Sequence, residues 1–231
     1  MAGHPLDVEQ ILMEFSGVAR LFPLPSLVFF PDSFGPLRVF EPRYVSMVKD
    51  ALADDGLIAL ALLKPGWQDD YDGSPAIHRV VCLSRILKHQ EAPNGEFEIW
   101  LYGLARAQIE EEVPSGPFRR AQVRLLTDLA RPDNAVPIAR RLKRALALTP
   151  GQQPVLGQMR RIANQIRGVD ASPGRYADAL AGAANFDPET RYELLAETDV
   201  LRRYERLIAH LERIAAESAP SAPQPSDPSL N

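Results

Sequence analysis

From Ala19 to about Leu129 the chain alternates short apolar runs with polar or proline-rich breaks, the pattern of strands joined by turns. Ala19–Leu24 and Leu27–Phe30 are short apolar runs bounded by Pro23, Pro25 and Pro31, which suits edge strands and loops. Leu57–Leu63 is continuously apolar and predicts a strand buried on both faces. Ala76–Gln90 and Glu96–Glu111 flank Asn94-Gly95, a strong hairpin signal. In the second arm Phe97, Ile99 and Leu101 alternate with Glu98, Trp100 and Tyr102, so one face is predicted to meet a core and the other to stay amphipathic. Phe118–Leu126 predicts a further strand. One helix interrupts the set, with Pro42 as its first residue and Tyr44, Val48, Ala51 and Leu52 as its apolar stripe.

Beyond Leu129 the periodicity becomes helical. Asp133 or Asn134 can cap a helix bearing Ile138, Leu142 and Leu146, and Val155, Met159, Ile162 and Ile166 mark a second, ending at Gly168. Ser172-Pro173 and Asp187-Pro188 are cap-plus-first-turn pairs that open two more. The last helix, roughly 199–217, repeats Leu201, Tyr204, Ile208, Leu211 and Ala215. These patterns divide the chain into a leader (1–18), a β-rich unit (19–130), a helical bundle (131–217) and a Pro/Ser-rich tail (218–231) expected to be disordered. Segregation of strands from helices gives an α+β class and argues against a parallel α/β fold.

Composition narrows the function. The net charge is −4, which displays no global basic field for nucleic acid or an anionic membrane. Cys82 is the only cysteine, so neither an intramolecular disulfide nor a cysteine zinc cluster can form. The start lacks the basic-then-apolar order of a secretory signal and no apolar run is long enough to span a bilayer, so a cytoplasmic protein with no membrane partner is expected.

The segment Phe22–Tyr44, FPLPSLVFFPDSFGPLRVFEPRY, resembles the opening of the N-terminal domain of Lon proteases. The resemblance is carried by Pro23-Leu24, Pro31, Pro36-Leu37 and Phe40-Glu41-Pro42-Arg43-Tyr44, in that order and spacing. Gly103 and Arg106, within Gly103–Ile109, resemble the family's Gly-x-x-Arg-x-x-Ile strand, and Glu193–Leu211 resembles its closing helix. The resemblance implies a PUA-like β-barrel with one inserted helix, followed by a C-terminal α-helical bundle, that captures unfolded or tagged polypeptide clients and works with a protease or as an adaptor. None of Lys49, Lys64, Lys88 and Lys143 follows a glycine, so the G-x-x-x-x-G-K-[ST] phosphate loop is absent. The expectation is therefore the recognition half standing alone, with no catalytic residues, cofactor or metal.

Glu41–Tyr44 is expected to be structural first, with Glu41 near a helix N-terminus and Arg43 paired to a carboxylate across the barrel. His78 and Cys82 share a strand face, but residues four apart in a strand lie roughly 13 Å from each other, too far for a nucleophile–base pair. Asp69, Asp70 and Asp72 lack the distal glutamate of an EF-hand and read as a solvated loop. The contact surface for clients is expected on the loops 28–34 and 64–75, through Phe29, Phe30, Phe34, Trp67 and Tyr71. Trp67 and Tyr71 fit a second placement equally, folded back over the barrel end. The alternative function is RNA binding: 131–175 holds Arg131, Arg140, Arg141, Lys143, Arg144, Arg160, Arg161, Arg167 and Arg175 against Asp133 and Asp170, a local charge of +7. No aromatic residues interleave that stretch, so the stacking half of single-strand recognition is missing from it.

Overall fold

The computed structural model describes residues 7–71, 73–114, 116–129, 172–184 and 186–217. The two helices expected between 133 and 168, and the tail, lie outside the described residues. Six strands form one mixed sheet: β1 (Val18–Leu24), β2 (Phe34–Val39), β3 (Leu57–Leu62), β4 (Val80–Glu91), β5 (Phe97–Val113) and β6 (Arg120–Leu126). Their order is β2-β5-β4-β3-β1-β6, and β6 pairs with β5 as well, so the pairings return to β5 through β4, β3, β1 and β6. All pairs are antiparallel except β1 with β3. The helix α2 (Pro42–Leu52) lies on the connection between those two, opened by Pro42 and carrying Tyr44, Met47, Val48 and Ala51 inward.

Leu27–Phe30, read as edge strand or loop, is a loop, and the leader departs from expectation. In the loop the side chains of Val28, Phe29 and Phe30 are buried, and the neighbouring β2 takes the edge position with Pro36 inside it. The leader contains a helix, α1 (Val8–Glu14), whose N-cap Asp7 accepts a hydrogen bond from the Gln10 amide. Val8, Ile11, Leu12 and Phe15 from this stretch pack on the core.

β5 is long enough to belong to two environments. Its later half, with Leu104, Ala107 and Ile109, joins Leu21, Leu57, Ala59, Ala61, Val81, Leu83 and Val123 in one apolar cluster. In its earlier half Phe97, Ile99 and Leu101 turn to a second, larger cluster shared with Phe22, Phe30, Tyr44 and Met47. That cluster also receives α3 (Pro173–Ala183), α4 (Pro188–Ala196) and α5 (Val200–Glu217) through Leu180, Leu194, Leu207 and Leu211. Both expected cap pairs are in place: Ser172 accepts from the Arg175 amide, and Asp187 from the Thr190 amide.

Candidate functional site

Gly103 and Arg106 tie β5 to the loop before β2 and to the helices. A Cβ on Gly103 would lie 2.1 Å from the Phe30 carbonyl oxygen and 3.1 Å from the Cys82 sulfur. The Gly103 amide donates to Ser33 O at 2.9 Å, and its carbonyl accepts from the Asp32 amide at 2.8 Å. The loop before β2 thus presses directly on β5, with Asp32 in the left-handed region at φ 62°. Gly103→Ala is expected to destabilise the protein by about 1–3 kcal/mol through overpacking, measured by urea denaturation.

Three positions on, Arg106 is buried in an ionic network. It makes a two-pronged pair with Asp178 and donates from Nε to Leu195 O at 2.8 Å. Arg203, 0% exposed, reaches the same Asp178 at 3.0 Å and pairs with Asp128, while its Nε donates to Glu197 O at 2.8 Å. Burial pushes the Asp178 carboxyl up, and hydrogen bonds and charge from Arg106 and then Arg203 pull against that shift. Sequence reasoning singled out Arg106 alone. Asp178 and Arg203 interrupt the buried stripes of α3 and α5, and that interruption was the available signal.

The Glu41–Tyr44 motif is a clasp. The Tyr71 hydroxyl donates to Glu41 Oε1, Arg43 Nε donates to Glu41 Oε2 at 3.0 Å, and Arg43 Nη2 donates to Tyr71 O at 3.2 Å. The Arg43 guanidinium sits over the rings of Tyr44 and Tyr71, 4.8 and 5.1 Å from their centroids. Its carboxylate partner is thus its near neighbour, not one across the sheet. Burial holds the Tyr44 hydroxyl up at about 12, and the bond to Glu41 raises that of Tyr71. Phe40, 60% exposed, joins these residues around a cleft of about 450 Å³.

The expected contact residues separate. Phe29 and Phe30 are 7% and 0% exposed, so they are core residues and offer no contact surface. Their crowding around Pro31 reflects packing beneath β2. Trp67 lies in a 3-10 turn (Trp67–Asp70), half-buried against the apolar cluster that contains Leu63 and Ile77, and meets Tyr71 edge-on at 5.3 Å. Both rings are therefore engaged in covering and clasping. Phe34 alone of the five is open, at 62%.

Phe34 stands on a face that sequence reasoning left half-read. Across β2, β5 and β4 the register aligns Phe34 with Tyr102 and Arg85, Pro36 with Trp100 and Lys88, and Arg38 with Glu98 and Gln90. Side chains on this face point away from Phe97, Ile99 and Leu101, which face the larger core. Trp100 and Tyr102 are half-buried, while Pro36, Lys88, Gln90 and Glu98 are exposed. The bulge at Leu87 adds another exposed apolar side chain nearby, at 46%. At the hairpin end the face runs into a groove of about 540 Å³ lined by Arg38, Gln90, Glu98, Ala92, Pro93 and Phe97 among others.

His78 and Cys82 do not meet as a catalytic pair. His78 Nε2 lies 3.1 Å from Glu189 and its ring stacks on Tyr192, whereas Cys82 is buried and its thiol is pushed up to about 12 by desolvation. Among the described residues no group of three or more His, Cys, Asp or Glu is placed to hold a metal ion. No described helix is long and apolar enough to cross a membrane. Of the basic stretch only Arg175 is described, and it makes a two-pronged pair with Asp32 at 2.6 and 2.5 Å.

Comparison with known proteins places this architecture. The family model for the ATP-dependent protease La (LON) substrate-binding domain matches residues 18–213. Among curated relatives, Lon protease 2 of Myxococcus xanthus is 23% identical over 213 residues, covering 90% of this chain and 24% of that protein. The Lon protease of Heliobacterium modesticaldum is 28% identical over 195 residues, covering 84% of this chain and 23% of that protein. The chain thus spans about a quarter of the length of these relatives. Among solved structures, a Lon N-terminal domain protein from Xanthomonas campestris superposes with a TM-score of 0.56 at 24% identity, covering 83% of this chain and 97% of that one. The N-terminal domain of a Mycobacterium avium complex Lon protease gives 0.63 at 17% identity, covering 84% and 98%. At these identities the two structures speak for the fold.

Proposed function

Because the chain belongs to the ATP-dependent protease La (LON) substrate-binding domain family, we propose that it is a non-catalytic module that binds unfolded or tagged polypeptide. The family match over residues 18–213 carries this reading. The open sheet face of Phe34, Pro36 and Trp100 supports it, because aromatic rings on a rigid sheet provide contact area at low side-chain entropy cost. The circuit of pairings through β5, β4, β3, β1 and β6 supports reading the sheet as the expected PUA-like barrel, and α3–α5 as part of the expected bundle. Delivery to a Lon-type protease, or an adaptor role beside one, belongs to the same proposal. No cofactor is assigned to it.

Binding of fluorescein-labelled, reduced and carboxymethylated α-lactalbumin tests this. Saturable anisotropy change is expected without nucleotide, with the native lactalbumin inert and the affinity weakly dependent on salt. Failure to bind the unfolded chain overturns the reading. Preferential binding of a structured or single-stranded RNA, falling steeply with salt, would replace it with the RNA alternative.

A further inference from the structure

We propose that the β2-β5-β4 face selects extended segments that present carboxylates and aromatic or proline side chains together on one side. This deepens the polypeptide-binding reading above and rests on it.

Charge on the face is not balanced. Lys88 Nζ stands 4.7 Å over the Trp100 ring, and Arg85 lies in register beside Tyr102. Among the described residues neither cation has a carboxylate within 4.0 Å. The nearby acids are occupied: Asp32 accepts from the Tyr102 hydroxyl and from Arg175, and Glu96 accepts from Arg38. Glu98 is the one exposed carboxylate in the three rows, and it lies in the row beyond Trp100. A cation beside an aromatic ring at two successive rows calls for the reverse pattern in its occupant, an acid beside an apolar group. The row spacing matches side chains two residues apart on an extended segment.

The backbone of β2 decides how such a segment docks. The Gly103 amide bonds to Ser33 O, so the alternation of an antiparallel pair turns the amides and carbonyls of Gly35, Leu37 and Val39 towards β5. Those of Phe34, Pro36 and Arg38 therefore face the open edge, and Pro36 has no N–H to offer there. Strand addition is interrupted at its middle position, the usual defence of an edge strand. Recognition falls to the side chains on the face. Single-stranded nucleic acid fits less well, since two cations beside Glu98 give little phosphate neutralisation.

The test uses the intact chain and three labelled twelve-residue peptides repeating Glu-Phe-Pro, Gln-Phe-Pro or Lys-Phe-Pro, with oligo(U) alongside. At low salt the Glu peptide is expected to bind about tenfold tighter than the Lys peptide, with the Gln peptide between them. Arg85→Glu with Lys88→Glu should invert that order. Glu98→Lys, at an exposed position, should tighten the Glu peptide independently, so the proposal remains testable if the double variant folds poorly. Equal binding of all three peptides overturns the charge selection while leaving the polypeptide reading intact. If neither the peptides nor unfolded lactalbumin bind, that reading itself fails. Oligo(U) binding that the Lys88 and Arg85 changes abolish would assign the face to nucleic acid instead.

Discussion

Asp178→Ala is expected to destabilise the protein by about 3–5 kcal/mol, the range for removing one partner of a buried ion pair. The loss is large because two guanidiniums share this carboxylate. Arg106 would keep only its bond to Leu195 O and a 3.6 Å approach to Asp128, and Arg203 would keep Asp128 and Glu197 O. Neither arginine can shed its charge, so each would remain partly uncompensated in a site that excludes water. Arg38→Ala, which removes an exposed pair with Glu96, is the internal control and should cost less than about 1 kcal/mol. Because the network joins β5 to α3 and α5, and one apolar cluster includes Phe30, Ile99, Leu180 and Leu207, denaturation of the wild-type chain should follow a single transition. A fragment ending at Ala130 would leave that cluster open, and it is expected to aggregate. Two separate transitions, or a soluble fragment 1–130 with its own sharp melt, would contradict the coupling.

The second large effect separates the open face from the clasp. Phe34→Ala with Trp100→Ala is expected to weaken binding of an unfolded client by about 2 kcal/mol or more, the loss typical of truncating aromatic anchors. The melting temperature should move little, since Phe34 is 62% exposed and Trp100 half-buried. Trp67→Ala with Tyr71→Ala should behave in the opposite way. Trp67 packs on the apolar cluster around Leu63, and Tyr71 bonds to Glu41 and Arg43. Their removal should lower stability and leave the affinity of the folded fraction unchanged. Thermal melts and client titrations on both double variants read the four outcomes, and a reversed assignment of affinity and stability would return recognition to the Trp67 turn.

What could be read from the sequence was whatever local chemistry decides. Asn94-Gly95 marks the β4–β5 turn, with Gly95 at φ 81°, and the Ser172-Pro173 and Asp187-Pro188 pairs mark helix starts because capping needs only neighbouring residues. β2 escaped notice because Pro36 disqualifies a central strand but not an edge one. Helix α1 escaped although Asp7 caps it and Val8, Ile11, Leu12 and Phe15 keep helical spacing, a pattern short enough to pass for a leader. Phe29 and Phe30 lie in the core rather than at the surface for a different reason. Aromatic crowding at Phe29 and Phe30 signals either a core or a surface, and only the tertiary fold decides which. The alternation of Trp100 and Tyr102 with Ile99 and Leu101 was visible. That their side of β5 stays partly open depends on where β2, β5 and β4 lie relative to the other strands, which no local pattern encodes.

Amide chemical-shift mapping during titration with an unfolded client segment most directly tests recognition on this face. Signals from Phe34, Gly35, Leu37, Arg38, Leu87–Gln90 and Glu98–Tyr102 are expected to shift or broaden, while those of α1 and of Trp67–Tyr71 stay in place. Changes confined to the Trp67 turn or to the helices, with the sheet face undisturbed at saturation, would contradict it.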